Sequence, residues 1–444
     1  MGTLFDREAA YIAAGRSRFH TPGHSGKAAA MPPFAPVLPY DLTEVEGLDS
    51  LYHADGVLQA CEVRAAAIFG SRGSFLSAGG CSQAIKAMLS LAVSPGGRVA
   101  MGRNAHFSAV SAAGLIGFEP VWLYPGASGV VEAREVEAAL SEGSADAVYL
   151  TSPDYYGRLC DIPAIAAVCR RFGTPLLVDN AHGSHLHFLK EERHPLSLGA
   201  DMTACSLHKT LPVLTGGALL NIGREAFLPD ARERMALFGS TSPSYLIMGS
   251  VDLCLDWLER EGRAAFSRLE ERADALRDFA RRLGYALPEG ECDPVRFTLP
   301  LAKNRIPVAD AMAAFRETCM WEYCDETAMV FILTPFHEEE DFTRLGEGLS
   351  RLAPKMGTAA PLQIPDFPRA EAVLPVREAL FAPAESLPIG EAAGRVSAEL
   401  VCPCPPGIPV AVPGERLEVE TLSLLQKSGR ERIPPADSLS LFCQ

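Results

Sequence analysis

The sequence predicts an α/β fold in which helices cover both faces of a mostly parallel sheet. Helix-like segments at about 107–117, 131–141 and 162–172 alternate with short apolar runs that have the length of buried strands. Such alternation is typical of parallel sheets in α/β proteins. The predicted strands are 98–101, 120–124, 147–151, 176–179, 202–206 and 218–222.

The segments before this region predict an arm and a helical pair. A short amphipathic opening is followed by FHTPGHSG at 19–26, and the proline-rich stretch 31–40 cannot form regular helix. We expect a folded-over arm or loop there. Residues 58–69 have a helical pattern that breaks at 70–73, and a second helix begins after AGGCS at 78–82.

The segments after it predict a connector and two smaller parts. A long helical stretch at about 245–283 leads to a compact α/β pattern, with strands at 296–299 and 329–334 and helices at 308–319 and 339–351. The linker 353–369 is proline-rich, and 403–409 and 412–415 are predicted as extended turns or loops. The predicted domains are therefore an arm with a large domain (1–250), a connector with a small domain (251–355) and a C-terminal domain (356–444).

Composition excludes several classes of protein. Among 444 residues, 40 are basic and 55 are acidic, and the net charge of -15 argues against nucleic acid or an anionic membrane as the main partner. The apolar runs, such as 109–118, are far shorter than the roughly 20 residues of a spanning helix. The 12 cysteines lack zinc-like or disulfide-like spacing, and no secretory signal is visible, so a cytoplasmic location is expected.

Several polar residues follow predicted strands and are expected to meet at the carboxyl edge of the sheet. Lys209 alone has the ordinary interpretation of a solvated residue after a strand. Asp179, at the end of a buried strand, requires a cationic partner, either a cofactor ring nitrogen or a structural Arg or Lys. The pair Asp179 and Lys209 suits a pyridine ring lying between them, with its aldehyde toward the lysine.

A phosphate site is predicted beside this pair. The segment AGGCSQ at 78–83 opens a helix whose free N–H groups could bind phosphate, although plain helix capping is the alternative. It matches neither the Walker nor the dinucleotide pattern. Ser206 and His208 could supply donors, and His106 could stack on a ring or be structural. The spacing of His182 and His185 resembles a metal pair, but no glutamate completes a zinc motif.

Six motifs of the sequence form a set. They are TPGH (21–24), EGLD (46–49), DNAHG (179–183), SLHKTLP (206–212), TSPSY (241–245) and PPGIP (405–409). Together they resemble the bacterial Orn/Lys/Arg decarboxylases, which are pyridoxal-phosphate (PLP) enzymes of fold type I, the aspartate aminotransferase-like fold. The resemblance spans nearly the whole chain and places it with the short form of the family, without large ring assemblies. The lysine motif and the proline-rich C-terminal motif are the distinctive ones.

The resemblance implies a role for each candidate site residue. Lys209 would form the Schiff base with PLP, Asp179 would pair with the pyridinium and His106 would stack on the ring. The phosphate would be held by Gly80, Cys81, Ser206 and His208, and His182 belongs to the cofactor-binding set. Ser240 and Thr241 lie in a segment that resembles the one reaching a neighbouring subunit's phosphate, which implies a homodimer with active sites at the subunit interface.

The sequence departs from the family pattern at three places. Asn180 stands where an acidic residue is common, and Asp154 stands where a small hydroxyl or amide residue is common. Gly80 and Cys81 replace a Ser-Thr pair, and losing two hydroxyls should weaken cofactor binding by about 1 kcal/mol each. These departures bear on the substrate and on activity.

The reaction implied is α-decarboxylation of arginine, lysine or ornithine to agmatine, cadaverine or putrescine, in polyamine biosynthesis. Lys209 or His208 would return a proton to the carbon. Two alternatives keep the cofactor: transamination or aldolase-type cleavage, and a PLP-binding protein with little catalysis. Glu322 and Asp325 are acidic candidates for reading the far end of a basic substrate, and solvated surface charges are the alternative.

Overall fold

The computed structural model describes residues 3–126, 128–362, 369–402, 408–427 and 430–436. The chain divides into two compact units. The first consists of residues 1–91 and 177–268, and the second of 92–176 and 269–444. The domain boundaries near 250 and 355 stay a prediction.

A seven-stranded sheet in the order β1-β7-β6-β5-β4-β2-β3 is the main sheet. Strand β5 runs parallel to β6, and β2 runs parallel to both β3 and β4, whereas β7 is antiparallel to β1 and β6. The mostly parallel α/β sheet predicted from the sequence is therefore confirmed. The strands are β1 (Gly73–Ser77), β2 (Arg98–Gly102), β3 (Glu119–Leu123), β4 (Ala147–Thr151), β5 (Leu176–Asp179), β6 (Met202–Cys205) and β7 (Ala218–Ile222).

Most helices before the small sheet match the predicted pattern, but the helix Leu228–Leu237 was not predicted. The predicted helix at 107–117 ends in a π-helical turn, Ala113–Gly117. The predicted connector is observed as two helices joined by a π-helical turn, Leu258–Gly262. The proline-rich arm forms only short 3-10 turns, because proline has no N–H for longer helix. The helices are α1 (Leu4–Ala13), α2 (Val57–Phe69), α3 (Gly80–Ala92), α4 (Phe107–Ala112), α5 (Ala133–Glu142), α6 (Ile162–Phe172), α7 (Leu207–Thr210), α8 (Leu228–Leu237), α9 (Tyr245–Trp257) and α10 (Arg263–Arg282).

The second unit contains a small antiparallel sheet in the order β8-β10-β9 and a C-terminal part. The C-terminal part has its own buried apolar cluster, which includes Ile389, Leu417 and Leu425. Residues 363–368 of the predicted linker and 403–407 of the predicted proline-rich turn lie outside the described residues. The elements are β8 (Arg296–Pro300), α11 (Leu301–Asn304), α12 (Val308–Phe315), β9 (Tyr323–Cys324), β10 (Ala328–Ile332), α13 (Glu339–Leu352), α14 (Val376–Phe381), β11 (Leu387–Pro388), α15 (Val419–Lys427) and β12 (Arg432–Ile433).

In the first unit, α1 places a buried carboxyl group against α9. Glu8 and Asp252 are each 1% exposed. A Cβ added at Gly249 would lie 2.8 Å from Glu8 Oε2, so this glycine leaves room for the carboxyl group. Burial and the nearby Asp252 raise the pKa of Glu8 from 4.5 to about 8. Arg64 Nη1 lies 3.6 Å from Asp252 Oδ1.

This carboxyl group predicts a pH-dependent stability. Between pH 4.5 and about 8 the folded chain keeps a proton on Glu8 that the unfolded chain has lost, so stability falls as pH rises. We therefore expect the midpoint of urea unfolding to decrease less with rising pH in Glu8→Gln than in wild type. Glu46→Gln, at an exposed carboxylate paired with Arg16, is the control and should leave it unchanged. An equal pH dependence in Glu8→Gln and wild type would contradict the prediction.

Candidate functional site

Lys209 lies on α7, the single helical turn that follows β6, and its amine contacts a histidine. Lys209 Nζ is 2.9 Å from His182 Nε2. His182 lies in the turn after β5, and because β5 and β6 are parallel neighbours, both turns leave the same edge of the sheet. The sequence prediction extended β6 to Ser206, but the strand ends at Cys205 and Ser206 is the N-cap of α7.

Asp179 is the last residue of β5 and is buried, with 1% of its surface exposed. It pairs in register with Ala204 of β6, and its Oδ1 accepts a hydrogen bond from the backbone N of Ala181 at 3.1 Å. A carboxylate in such a position is stable only when a cation or several donors face it. Asp179 is therefore a buried carboxyl group at the end of the strand next to the one that precedes Lys209.

The turn into α3 has the geometry of an anion site. Gly80 opens this 13-residue helix with φ +71°, and a Cβ added there would meet nothing within 4 Å. The backbone N of Gly80 donates to the carbonyl of Gly216 at 2.8 Å, which brings two glycine turns together. A helix N-terminus with open space before it can bind a phosphate.

His208 joins the glycine turn to the lysine turn. Its Nδ1 lies 3.2 Å from Ser206 Oγ, 3.2 Å from the carbonyl O of Gly217 and 3.3 Å from the backbone N of Gly216. Burial and the neighbouring Lys209 ammonium lower the pKa of His208, while the bond to Gly217 opposes this. The neutral ring is therefore favoured.

Cys81 is buried in the first turn of α3. Burial raises the pKa of its thiol well above the usual value, and the negative charge of Asp179 acts in the same direction, while Lys209 opposes it. Cys81 is therefore a neutral thiol close to the two proposed cofactor contacts. Its role as a phosphate ligand stays a prediction.

A buried polar network lies behind the same edge of the sheet. Cys205 Sγ lies 3.4 Å from the side-chain Nδ2 atoms of both Asn180 and Asn221, and 3.5 Å from His194 Nε2. Burial raises the pKa of Cys205 to about 11, so it is a neutral acceptor. Asn180, one of the departures from the family pattern, thus faces Cys205 through its amide.

Sequence reasoning missed Ser77, because it missed strand β1. Ser77 ends β1, and its Oγ lies 2.9 Å from the Gly80 carbonyl O and 2.8 Å from Gln83 Oε1. It also accepts from the backbone N of Gly79 at 3.2 Å. The available signal was a serine that precedes the paired glycines with only Ala78 between them. Ser77 fixes the shape of the glycine turn.

The remaining predicted site residues have local hydrogen-bond partners. His106 lies in the second unit as the N-cap of α4, where its Nδ1 accepts from the backbone N of Ser108 at 3.2 Å. Ser240 and Thr241 are exposed on a turn in which Ser240 Oγ accepts from the backbone N of Ser242 at 3.1 Å. Among the predicted cofactor-site residues, His106 alone lies outside the first unit, which contains Ser240 and Thr241 as well as Lys209.

His185 has a structural environment. Its ring stacks on Phe266, with centroids 5.7 Å apart and an interplanar angle of 28°. Among the described residues, no group of three or more His, Cys, Asp or Glu side chains could hold a metal ion. His182 and His185 therefore do not belong to such a group in the part of the chain that the structure describes.

The two acidic candidates for substrate recognition differ in their surroundings. Asp325 accepts from the hydroxyls of Tyr156 and Tyr323, both at 3.0 Å, and from two backbone N–H groups at 2.7 and 2.8 Å. Its oxygens are thus occupied within the second unit, which favours a structural role. Glu322 is exposed and accepts one hydrogen bond, from Tyr155 Oη at 2.7 Å.

Asp154, another departure, is also held by its own turn. Its Oδ1 accepts from the backbone N of Tyr156 at 2.9 Å and of Arg158 at 2.8 Å. Burial raises the pKa of this carboxyl group, and Arg158, with Nε 3.6 Å from Oδ2, opposes the rise. The carboxylate therefore shapes the turn after β4.

The residues of the first unit fit a phosphorylated pyridine aldehyde. Lys209 supplies an amine, Asp179 a buried carboxylate, and the open space at Gly80 a helix N-terminus for phosphate. These three features correspond to the aldehyde, the ring nitrogen and the phosphate of PLP.

Within the described residues, no helix is long and apolar enough to cross a membrane.

Comparison with known proteins identifies the family. The model of the Orn/Lys/Arg decarboxylase major domain matches residues 3–298, and that of the C-terminal domain matches residues 371–430. The arginine decarboxylase of Bacillus subtilis (strain 168) is 30% identical over 459 residues, which cover 95% of this chain and 93% of the relative. The arginine decarboxylase of Halalkalibacterium halodurans is 30% identical over 466 residues, which cover 97% of this chain and 94% of the relative.

The fold prediction is confirmed by a solved structure. The Francisella novicida lysine decarboxylase superposes with a TM-score of 0.80 at 19% sequence identity, covering 98% of this chain and 81% of that one. The chain therefore has the fold-type I architecture. The sequence-based identification of a decarboxylase is confirmed, and the chain belongs to the Orn/Lys/Arg decarboxylase family.

Proposed function

We propose that this chain is a PLP-dependent decarboxylase of a basic amino acid, with arginine as the substrate. The observation that carries the proposal is the contact between Lys209 and His182 beside the buried Asp179. The names of the arginine decarboxylases from Bacillus subtilis and Halalkalibacterium halodurans support arginine as the substrate.

The residues that would hold PLP follow from the chemistry of its three ends. Lys209 would be its covalent anchor, Asp179 would pair with the ring nitrogen and the N-terminus of α3 at Gly80 would bind the phosphate. Cys81, Ser206 and His208 would border the phosphate, with His182 beside the lysine. His106 would stack on the ring. When bound, PLP supplies an electron sink for the pair released as carbon dioxide leaves.

The protein's own contribution is to hold charge and to move a proton. The Asp179 carboxylate would keep the ring nitrogen protonated. The amine of Lys209, once released, would carry a proton to the α-carbon. His182 Nε2, at 2.9 Å from Nζ, can exchange a proton with that amine. His208 would provide a second proton donor only through its ring Nε2, because its Nδ1 faces Ser206 and the glycine turn.

A substrate panel tests this proposal. Purified protein with added PLP would be given arginine, lysine and ornithine, with carbon dioxide, amines and keto acids measured. We expect agmatine and carbon dioxide from arginine, with kcat/KM at least about tenfold above that for the other two. Keto acid without carbon dioxide would instead indicate transamination. Bound PLP without turnover would indicate a binding protein, and either result would contradict the proposal.

We also propose that the active unit is a homodimer whose sites are completed by the second copy. The exposed Ser240 and Thr241 support this, because their side chains are available to a neighbour. Analytical ultracentrifugation of the active enzyme should give the mass of a dimer. Full activity in a monomer would contradict it.

A further inference from the structure

Arg103 follows strand β2 and is buried, with 1% of its surface exposed, which is unusual for arginine. Its Nη1 donates to the carbonyl of Pro409 at 2.6 Å and its Nη2 to that of Val410 at 3.2 Å. Nη2 also lies 3.2 Å from Glu415 Oε2. One side chain thus binds three groups of the C-terminal segment 408–415.

The partner carboxylate is fixed as well. Glu415 Oε2 accepts from the backbone N of Val412 at 3.1 Å. Burial raises the pKa of Glu415, and the Arg103 charge opposes the rise. Removing either member would leave the other as an uncompensated buried charge, so the pair acts as one unit.

The same arginine is anchored to the sheet. Its backbone N donates to the carbonyl of Leu123, at the end of β3, at 2.8 Å. Its guanidinium lies over the ring of Trp122, with 5.1 Å from Cζ to the centroid. Arg103 therefore joins the C-terminal segment to the edge formed by β2 and β3.

His106 lies only three residues further along a tight connection. The backbone N of Ala105 donates to the carbonyl of Gly102 at 2.9 Å, which forms a turn. His106 then caps α4 through Ser108. Only Asn104 and Ala105 separate Arg103 from the residue that caps α4.

We propose that Arg103, held by Glu415 and the carbonyls of Pro409 and Val410, is a positioning residue that makes the C-terminal segment set the placement of the His106 ring. This inference rests on the proposed function, in which His106 stacks on PLP. A small displacement of a stacking ring weakens the contact without unfolding the site.

A double-mutant cycle on PLP affinity tests the inference. The dissociation constant of PLP would be measured for wild type, Arg103→Lys, His106→Ala and the double variant. Lysine keeps the positive charge but lacks the planar guanidinium group that donates to several acceptors at once. We expect Arg103→Lys to raise the Kd about tenfold when His106 is present and less than about threefold when it is absent. If Arg103→Lys does not fold, Glu415→Gln replaces it, and its effect on the Kd of PLP is compared with and without His106 in the same way.

The neighbouring Arg416 provides the matched control. Its partly exposed guanidinium pairs with Glu371, with Nε 2.8 Å from Oε2. Arg416→Lys should leave the Kd of PLP unchanged. Equal effects of Arg103→Lys in both backgrounds would overturn the inference while leaving the proposed function intact. Failure of wild type to bind PLP would overturn the proposed function and the inference with it.

Discussion

Lys209→Ala is expected to lower decarboxylation by about a thousandfold or more, because it removes the proposed covalent anchor and proton carrier. The absorption band of the lysine-linked cofactor should disappear as well. PLP can still be retained weakly by the N-terminus of α3 and by Asp179, so binding and covalent attachment must be measured separately. Spectra and initial rates at saturating PLP provide both values.

Lys303→Ala is the matched control for this variant. Lys303 is an exposed lysine whose Nζ lies 2.6 Å from Glu289 Oε1. Its loss should change neither the spectrum nor the rate, because exposed ion pairs contribute little. Persistence of the lysine-linked band in Lys209→Ala would contradict the assignment of Lys209.

Asp179→Asn is expected to lower kcat by about a hundredfold, because a neutral amide no longer favours protonation of the ring nitrogen. The fold should be kept. The asparagine Oδ1 can still accept the hydrogen bond that Asp179 Oδ1 takes from the backbone N of Ala181 at 3.1 Å. Rates and the unfolding midpoint, measured together, separate a chemical effect from a structural one.

Asp278→Asn serves as the control for Asp179→Asn. Asp278 is exposed on α10, and its Oδ1 lies 2.8 Å from Arg281 Nη1. This variant should match wild type in rate and in stability. An Asp179→Asn enzyme with an unchanged kcat would show that the buried carboxylate has no part in the chemistry.

The site's edge could be predicted from sequence because it depends on local patterns. The run 176–178 is apolar and 202–205 is mostly apolar. Polar residues follow each run, so Asp179 and Lys209 are expected at one edge. Strand β1 was missed because its sequence, GSFLS, begins with glycine and includes two serines. Its pairing with β7 is set by tertiary contacts rather than by local propensity.

Long-range contacts account for the rest of what sequence could not provide. The bond from Gly80 to Gly216 joins residues far apart in the chain, and neither segment alone indicates it. The bond between Lys209 and His182 depends on the parallel register of β5 and β6. The C-terminal partners of the Arg103 side chain lie more than 300 residues away, so the local sequence did not mark this residue for attention.

The central claim is that Lys209 is the lysine that binds PLP covalently, and peptide mapping tests it most directly. Protein incubated with PLP would be reduced with borohydride, which fixes the cofactor to its lysine, then digested and examined by mass spectrometry. The account predicts modification of the peptide that contains SLHKTLP, at Lys209. Modification of another lysine alone, or of none, would contradict it.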